Sequence, residues 1–93
     1  MFTGIVTDMG EVINILPRLG LTRLQISCGY DATEIMLGAS IACSGVCLTV
    51  VDVKTDGAGA IFDVDAAAET LRLTSVGKWC VGSKINLERA LKI

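Results

Sequence analysis

Short runs of β-branched and aliphatic residues, separated by glycine or polar turns, recur along the whole chain, whereas apolar residues at helical spacing are scarce. This punctuation constrains the fold more than any other feature. Strands with one apolar face must cover that face against one another, so a series of them closes into a barrel or stacks as a sandwich. The pattern predicts an all-β fold with strands over residues 3–7, 11–16, 21–27, 40–44, 46–53, 60–64 and 84–90. Asp8-Met9-Gly10 reads as a turn between the first two strands. Pro17-Arg18-Leu19-Gly20 reads as the end of the second, because proline has no amide hydrogen to give to a ladder. One helical turn is expected over residues 32–36, with Asp31 as its cap, and a short helix over residues 66–72, with Asp65 as its N-cap. The second helix start would offer unpaired amide N–H groups to a carbonyl or an anion, or serve only as a structural corner.

The most informative stretch is Ser40-Ile41-Ala42-Cys43-Ser44-Gly45-Val46-Cys47-Leu48-Thr49-Val50. It reads as two strands joined tightly at Ser44-Gly45, since glycine takes the positive φ that a two-residue hairpin turn requires. Alternation along the second strand then puts Val46, Leu48 and Val50 on one face and Cys47, Thr49 and Val51 on the other. The first set makes a core face. The second carries a thiol and a hydroxyl side by side, polar enough to orient a ligand and apolar enough to be covered by one.

At 93 residues the chain is the size of one domain. Hydrophobic residues make up 52% and charged residues 19%, against about 25% charged in an average domain. A core this small cannot absorb that surplus, so apolar surface is expected to face a partner. Charged residues interrupt every apolar stretch, which excludes a membrane-spanning helix. The opening residues lack the basic start of a secretory signal, making a cytoplasmic location the expectation. A net charge of −2, dispersed basic residues and 4% aromatic residues argue against nucleic-acid binding. Cys28, Cys43, Cys47 and Cys80 show no Cys-x-x-Cys spacing, and the chain has no histidine, so no metal site is expected. Cys28, Cys43 and Cys80 read as small buried hydrophobes.

Four motifs in order resemble the riboflavin synthase family: Met1-Phe2-Thr3-Gly4-Ile5-Val6, Gly45-Val46-Cys47-Leu48-Thr49-Val50, Glu69-Thr70-Leu71, and Val81-Gly82-Ser83-Lys84-Ile85-Asn86-Leu87-Glu88-Arg89-Ala90. The resemblance covers essentially the whole chain and is to the amino-terminal barrel of that family. It implies one lumazine-binding domain over residues 1–93, a six-stranded antiparallel Greek-key β-barrel with one or two short helices, as the first half of a two-barrel enzyme. It also implies a reaction in which two molecules of 6,7-dimethyl-8-ribityllumazine give riboflavin and a pyrimidinedione by transfer of a four-carbon unit, with no separate cofactor. Ending directly after a strand, the chain reads as a domain cut from a longer protein.

By position, the resemblance implies a ring site lined by the backbone of Gly4, Ile5 and Val6, by Cys47, Leu48 and Thr49, and by Asp65, Ala66, Ala67, Ala68, Glu69 and Thr70. Thr49 would fix the pyrimidine portion by hydrogen bonds, and Ser40 on the adjoining strand would reach the ring or the ribityl chain. Cys47 is open to two readings: a thiolate that takes a proton from the ring's acidic methyl group or adds to the ring, or a small polarisable contact without proton traffic. Ser44 stands where the family commonly has asparagine. Ala67 and Ala68 stand where many relatives have Met-Pro, which removes a flexible apolar contact to the ring. Without histidine no side chain here has an ordinary pKa near neutrality, so turnover needs groups from the second half of the enzyme, where a histidine-containing segment follows. The family assembles as trimers; a lone barrel is expected to pair with itself as a two-fold dimer and to bind with little or no turnover. The competing readings are a non-catalytic lumazine- or flavin-binding module and a barrel used only for protein contacts.

Overall fold

The computed structural model describes residues 4–90. Six strands, β1 (Asp8–Arg18), β2 (Leu21–Cys28), β3 (Ser40–Cys43), β4 (Val46–Asp56), β5 (Gly59–Ala67) and β6 (Lys84–Arg89), close into a barrel in the order β1-β2-β5-β4-β3-β6. Every pairing is antiparallel. Two of them, β2 with β5 and β3 with β6, join strands distant in sequence, which is the Greek-key connection the family resemblance implies.

Period-two alternation sets the core. On β5, Ala60, Phe62, Val64 and Ala66 point inward and are buried, as are Leu24 and Ile26 on β2. Val12, Ile41, Cys43, Leu48, Ile85 and Leu87 fill the remaining interior around Phe62, the largest fully buried side chain. Much apolar surface stays outside: Ile5, Val6, Met9, Met36, Leu37, Leu73 and Val81 are more than half exposed.

The start of the barrel differs from the sequence expectation. In place of two strands hinged at Asp8-Met9-Gly10, β1 is a single strand, and Asp8, Met9, Gly10 and Glu11 pair with Leu87, Asn86, Ile85 and Lys84 of β6 to close the barrel. Gly10 serves close packing here. A Cβ at Gly10 would lie 2.8 Å from Leu87 Cδ1 and 2.9 Å from Ile26 Cγ2, so only glycine lets β1 approach that part of the core. The change of direction is taken up by a bulge between Val12 and Asn14. Residues 4–7 form no strand, and Thr3 lies outside the described residues.

Pro17 lies inside β1, one pair before the turn at Leu19-Gly20. Arg18 and Leu21 close that two-residue loop, so Pro17 and Thr22 form the next, non-hydrogen-bonded pair, and the proline nitrogen faces away from β2. A missing amide hydrogen costs the ladder nothing there.

The helices are shorter than expected. A 3₁₀ turn at Ala32–Glu34 is capped by Asp31, whose carboxylate accepts the Thr33 N–H at 2.9 Å. Helix α1 (Ala68–Leu73) begins two residues later than expected, with Ala67 at its N-cap and no side-chain cap. Asp65 does not cap it, because β5 continues through that position in register with β2. A second 3₁₀ turn, Ser75–Lys78, leads into β6 and is capped by the Thr74 hydroxyl. Of the three cysteines read as buried, Cys43 is buried, Cys28 is half-buried and Cys80 is exposed, since Cys80 sits in the loop before β6. Among the described residues no helix is long and apolar enough to cross a membrane.

Candidate functional site

The β3–β4 hairpin turns at Ser44 and Gly45, which both hold positive φ, +49° and +85°. Two successive left-handed residues match the twist of the flanking strands, and Cys43 and Val46 form the closing pair. The Ser44 N–H donates to the Asn86 carbonyl at 2.7 Å, and Ser44 Oγ accepts the Asn86 N–H at 3.2 Å, tying the turn to β6. This register pairs Ser40 with Thr49, Ile41 with Leu48 and Ala42 with Cys47.

The faces then separate as the alternation requires. Ile41, Cys43, Leu48 and Val50 point into the core; Cys47 and Thr49 are exposed, and Ser40 and Ala42 half-buried, on the outside. Cys47 and Thr49 occupy non-hydrogen-bonded pairs with β3, so their backbone groups point away from β3, toward the end of β5. Leu48 differs: its side chain is in the core and its backbone is turned toward Ile41. It supplies the floor beneath the face.

Register carries the face sideways. Glu88 of β6 lies opposite Ala42, extending the Cys47–Ala42 row, and its carboxylate accepts the Gly4 N–H at 3.1 and 3.2 Å. Thr7 donates its N–H to the Leu87 carbonyl at 2.8 Å, and its hydroxyl lies 2.6 Å from the Tyr30 hydroxyl. Gly4, Ile5 and Val6 are thus held along β6 at the border of the row, with the side chains of Ile5 and Val6 exposed. Burial pushes the Tyr30 hydroxyl pKa up, and the Arg89 guanidinium stacks over its ring at 4.4 Å.

On the other flank, Val50 pairs with Val64, both inward, so the next residues along each strand, Thr49 and Asp65, are outward neighbours. The β4–β5 ladder ends there, next to a bulge between Val50 and Asp52. Asp65 is gripped by Arg23 of β2 in a two-point pair, Nε to Oδ1 at 2.8 Å and Nη2 to Oδ2 at 3.0 Å. That hydrogen bonding holds the Asp65 carboxyl below the usual carboxylate range and raises Arg23 in turn.

The structure therefore assembles Ser40, Cys47, Thr49 and Asp65 on one outer face, with Gly4, Ile5 and Val6 at its border. Ala66 points into the core. Ala67, Ala68 and Glu69 are exposed at the barrel's end, where Glu69 pairs with Arg72 within α1 and the Thr70 carbonyl accepts the Thr74 N–H and hydroxyl. Ala68 also borders a cavity of about 410 Å³ whose walls include Ile15, Pro17, Leu24, Leu71 and Trp79. Sequence reasoning missed Arg23 and Glu88. Both stand on outward strand positions, but which residues they face depends on pairings between distant strands. Among the described residues no cluster of three or more potential metal ligands occurs.

The profile of the lumazine binding domain matches residues 3–90. The chain belongs to that family. This lumazine-binding domain is 53% identical to riboflavin synthase from Brucella abortus over 100% of the chain and 46% of that relative. It is 46% identical to riboflavin synthase from Mycobacterium tuberculosis over 97% of the chain and 43% of the relative. With riboflavin synthase from Bacillus subtilis the figures are 38%, 98% and 40%. The domain spans less than half the length of these curated relatives and matches their amino-terminal half.

Proposed function

We propose that this domain binds the planar ring of riboflavin or of 6,7-dimethyl-8-ribityllumazine on the face carrying Cys47 and Thr49, and that it is the first of two barrels in a riboflavin synthase. The observation that supports this reading is the hairpin register that turns a thiol and two hydroxyls, Cys47, Thr49 and Ser40, outward over an apolar floor of Ile41 and Leu48. Thr49 and Ser40 supply hydroxyl donors and acceptors for the ring's carbonyl and nitrogen edge. Cys47 lies against the ring, and Gly4, Ile5 and Val6 close the far side. In the two-barrel enzyme one lumazine gives up a four-carbon unit to another, leaving riboflavin and a pyrimidinedione. This chain has no histidine, so proton transfer near neutrality calls on groups from outside it. The barrel alone binds and turns over little. Its exposed Ile5, Val6, Met36 and Leu37 are covered by a second copy in a two-fold dimer when no companion barrel is present.

Titration of the chain with riboflavin, read by flavin fluorescence and by the emission of Trp79, tests the reading. Saturable binding is expected, about tenfold weaker in Thr49→Ala, the scale of one ligand hydrogen bond. Light scattering on the same samples is expected to give the mass of a dimer. A folded chain that leaves flavin fluorescence unchanged would overturn the proposal.

A further inference from the structure

Beyond the ring site, the structure holds a polar pair that the sequence motifs do not include. Arg23 and Asp65 face each other across β2 and β5 on the outer surface, with side chains 30% and 24% exposed. Their two-point contact uses Nε and Nη2 of the guanidinium and both carboxylate oxygens. Each partner keeps capacity to spare: the guanidinium has N–H groups beyond the two it commits, and each carboxylate oxygen has a second lone pair. The register sets this pair beside Thr49, which in turn faces Ser40. A continuous strip of hydrogen-bonding groups, Arg23–Asp65–Thr49–Ser40, therefore crosses β2, β5, β4 and β3 on one face.

We infer that Arg23 and Asp65 form a recognition site for a neutral polyhydroxyl chain attached to the bound ring, and that Arg23 is a specificity-determining residue for that chain. The inference rests on the proposed ring site and extends it to a residue outside the family motifs. A polyol presents each hydroxyl as donor and acceptor at once, and a rigid carboxylate–guanidinium pair answers both needs side by side. Its rigidity matters, because neither group has to be ordered when the ligand arrives. The surroundings favour a neutral chain over an anionic one: Asp63 and Asp52 sit opposite each other one step along the same strands, and Gln25 donates to Asp63 at 3.3 Å. Arg18 lies close enough to act on Asp65 electrostatically.

The test compares riboflavin with lumiflavin, which keeps the ring and replaces the polyol by a methyl group, in the unaltered chain and in Arg23→Gln and Asp65→Asn. A site built to bond hydroxyls discriminates strongly against a ligand lacking them. Riboflavin is therefore expected to bind about tenfold more weakly to each variant, with lumiflavin affinity unchanged. Arg23→Lys, which keeps the charge but loses the two-point grip, is expected to fall between. Equal losses for both flavins would make the pair merely structural and overturn the inference, as would no loss for either. Failure of the unaltered chain to bind lumiflavin and riboflavin alike would instead bring down the ring site itself. Should Arg23→Gln fail to fold by circular dichroism, the isosteric Asp65→Asn asks the same question.

Discussion

Cys43 and Cys47 stand on opposite arms of one hairpin, four positions apart, and meet opposite surroundings. Cys43 is fully buried among Ile41, Leu48 and Leu87, with its Sγ 3.6 Å from the Ile41 carbonyl; Cys47 is exposed beside Ala42. Burial pushes the Cys43 thiol up to about 12. One face of the hairpin is packing material, and the other is available for chemistry or contact. What divides them is the two-residue turn: a slip of one residue in register would exchange the faces.

The largest expected effect breaks this contrast directly. With a pKa near 12, only about one Cys43 thiol in 10⁵ is ionised at pH 7, and none of it is accessible. Alkylation by iodoacetamide in the native state is expected at Cys47 and Cys80, with Cys43 reacting only after denaturation, as read by peptide mass. Serine substitution asks the same question of stability. Cys43→Ser puts a hydroxyl into the core and is expected to cost about 1–3 kcal/mol in denaturant unfolding, whereas Cys47→Ser is expected to stay within about 0.5 kcal/mol. In the two-barrel enzyme, Cys47→Ser and Cys47→Ala then separate the two roles of the thiol: turnover unchanged in both leaves it a contact, and loss in both makes it a reacting group. Native alkylation of Cys43 would mean that the assigned register is wrong.

A smaller effect is expected at the edge of the outer face. Arg23 holds Asp65 below its ordinary pKa, so the folded chain keeps this carboxylate charged at pH values where the unfolded chain has begun to protonate it. The resulting stabilisation is complete above the unfolded value, about 3.9, and disappears as the pH falls through the lower folded value. Thermal unfolding of the unaltered chain and of Asp65→Asn is therefore expected to differ most near neutrality and to converge in acid. A difference that grew toward acid would contradict the pairing.

How much of this was legible in the sequence follows the range of the interactions. The Val46 to Val51 alternation and the Ser44-Gly45 turn are local, and the structure carries both as read. Asp31 capping Thr33 two residues on is local too. Gly10 was misread because a glycine between apolar runs usually marks a turn, and nothing nearby in the chain announces that Leu87 and Ile26 need its empty space. Asp65 was misread for the same reason. Next to an alanine run it has the composition of a helix cap, but Arg23, 42 positions away, holds it in the sheet. The ring-facing residues of one strand could be read from its alternation, while the neighbours that complete the face come from the closure of the barrel.

The smallest effect concerns the turn that keeps the two cysteines apart. Ser44 sits at φ +49°, a left-handed conformation that asparagine tolerates better than serine, and asparagine followed by glycine is the preferred pair for a hairpin of this kind. Against that gain stands the bond in which Ser44 Oγ accepts the Asn86 N–H at 3.2 Å, which an asparagine carbonyl oxygen can take over. Ser44→Asn is therefore expected to raise stability by about 0.5 kcal/mol, seen as a small upward shift of the unfolding midpoint, with the alkylation pattern of Cys43 and Cys47 unchanged. The two readouts together separate causes. A stability gain with the same pattern means the turn is strained but correctly registered, and a gain accompanied by native reactivity at Cys43 would show that serine, not the apolar pattern of the strands, had been holding the register.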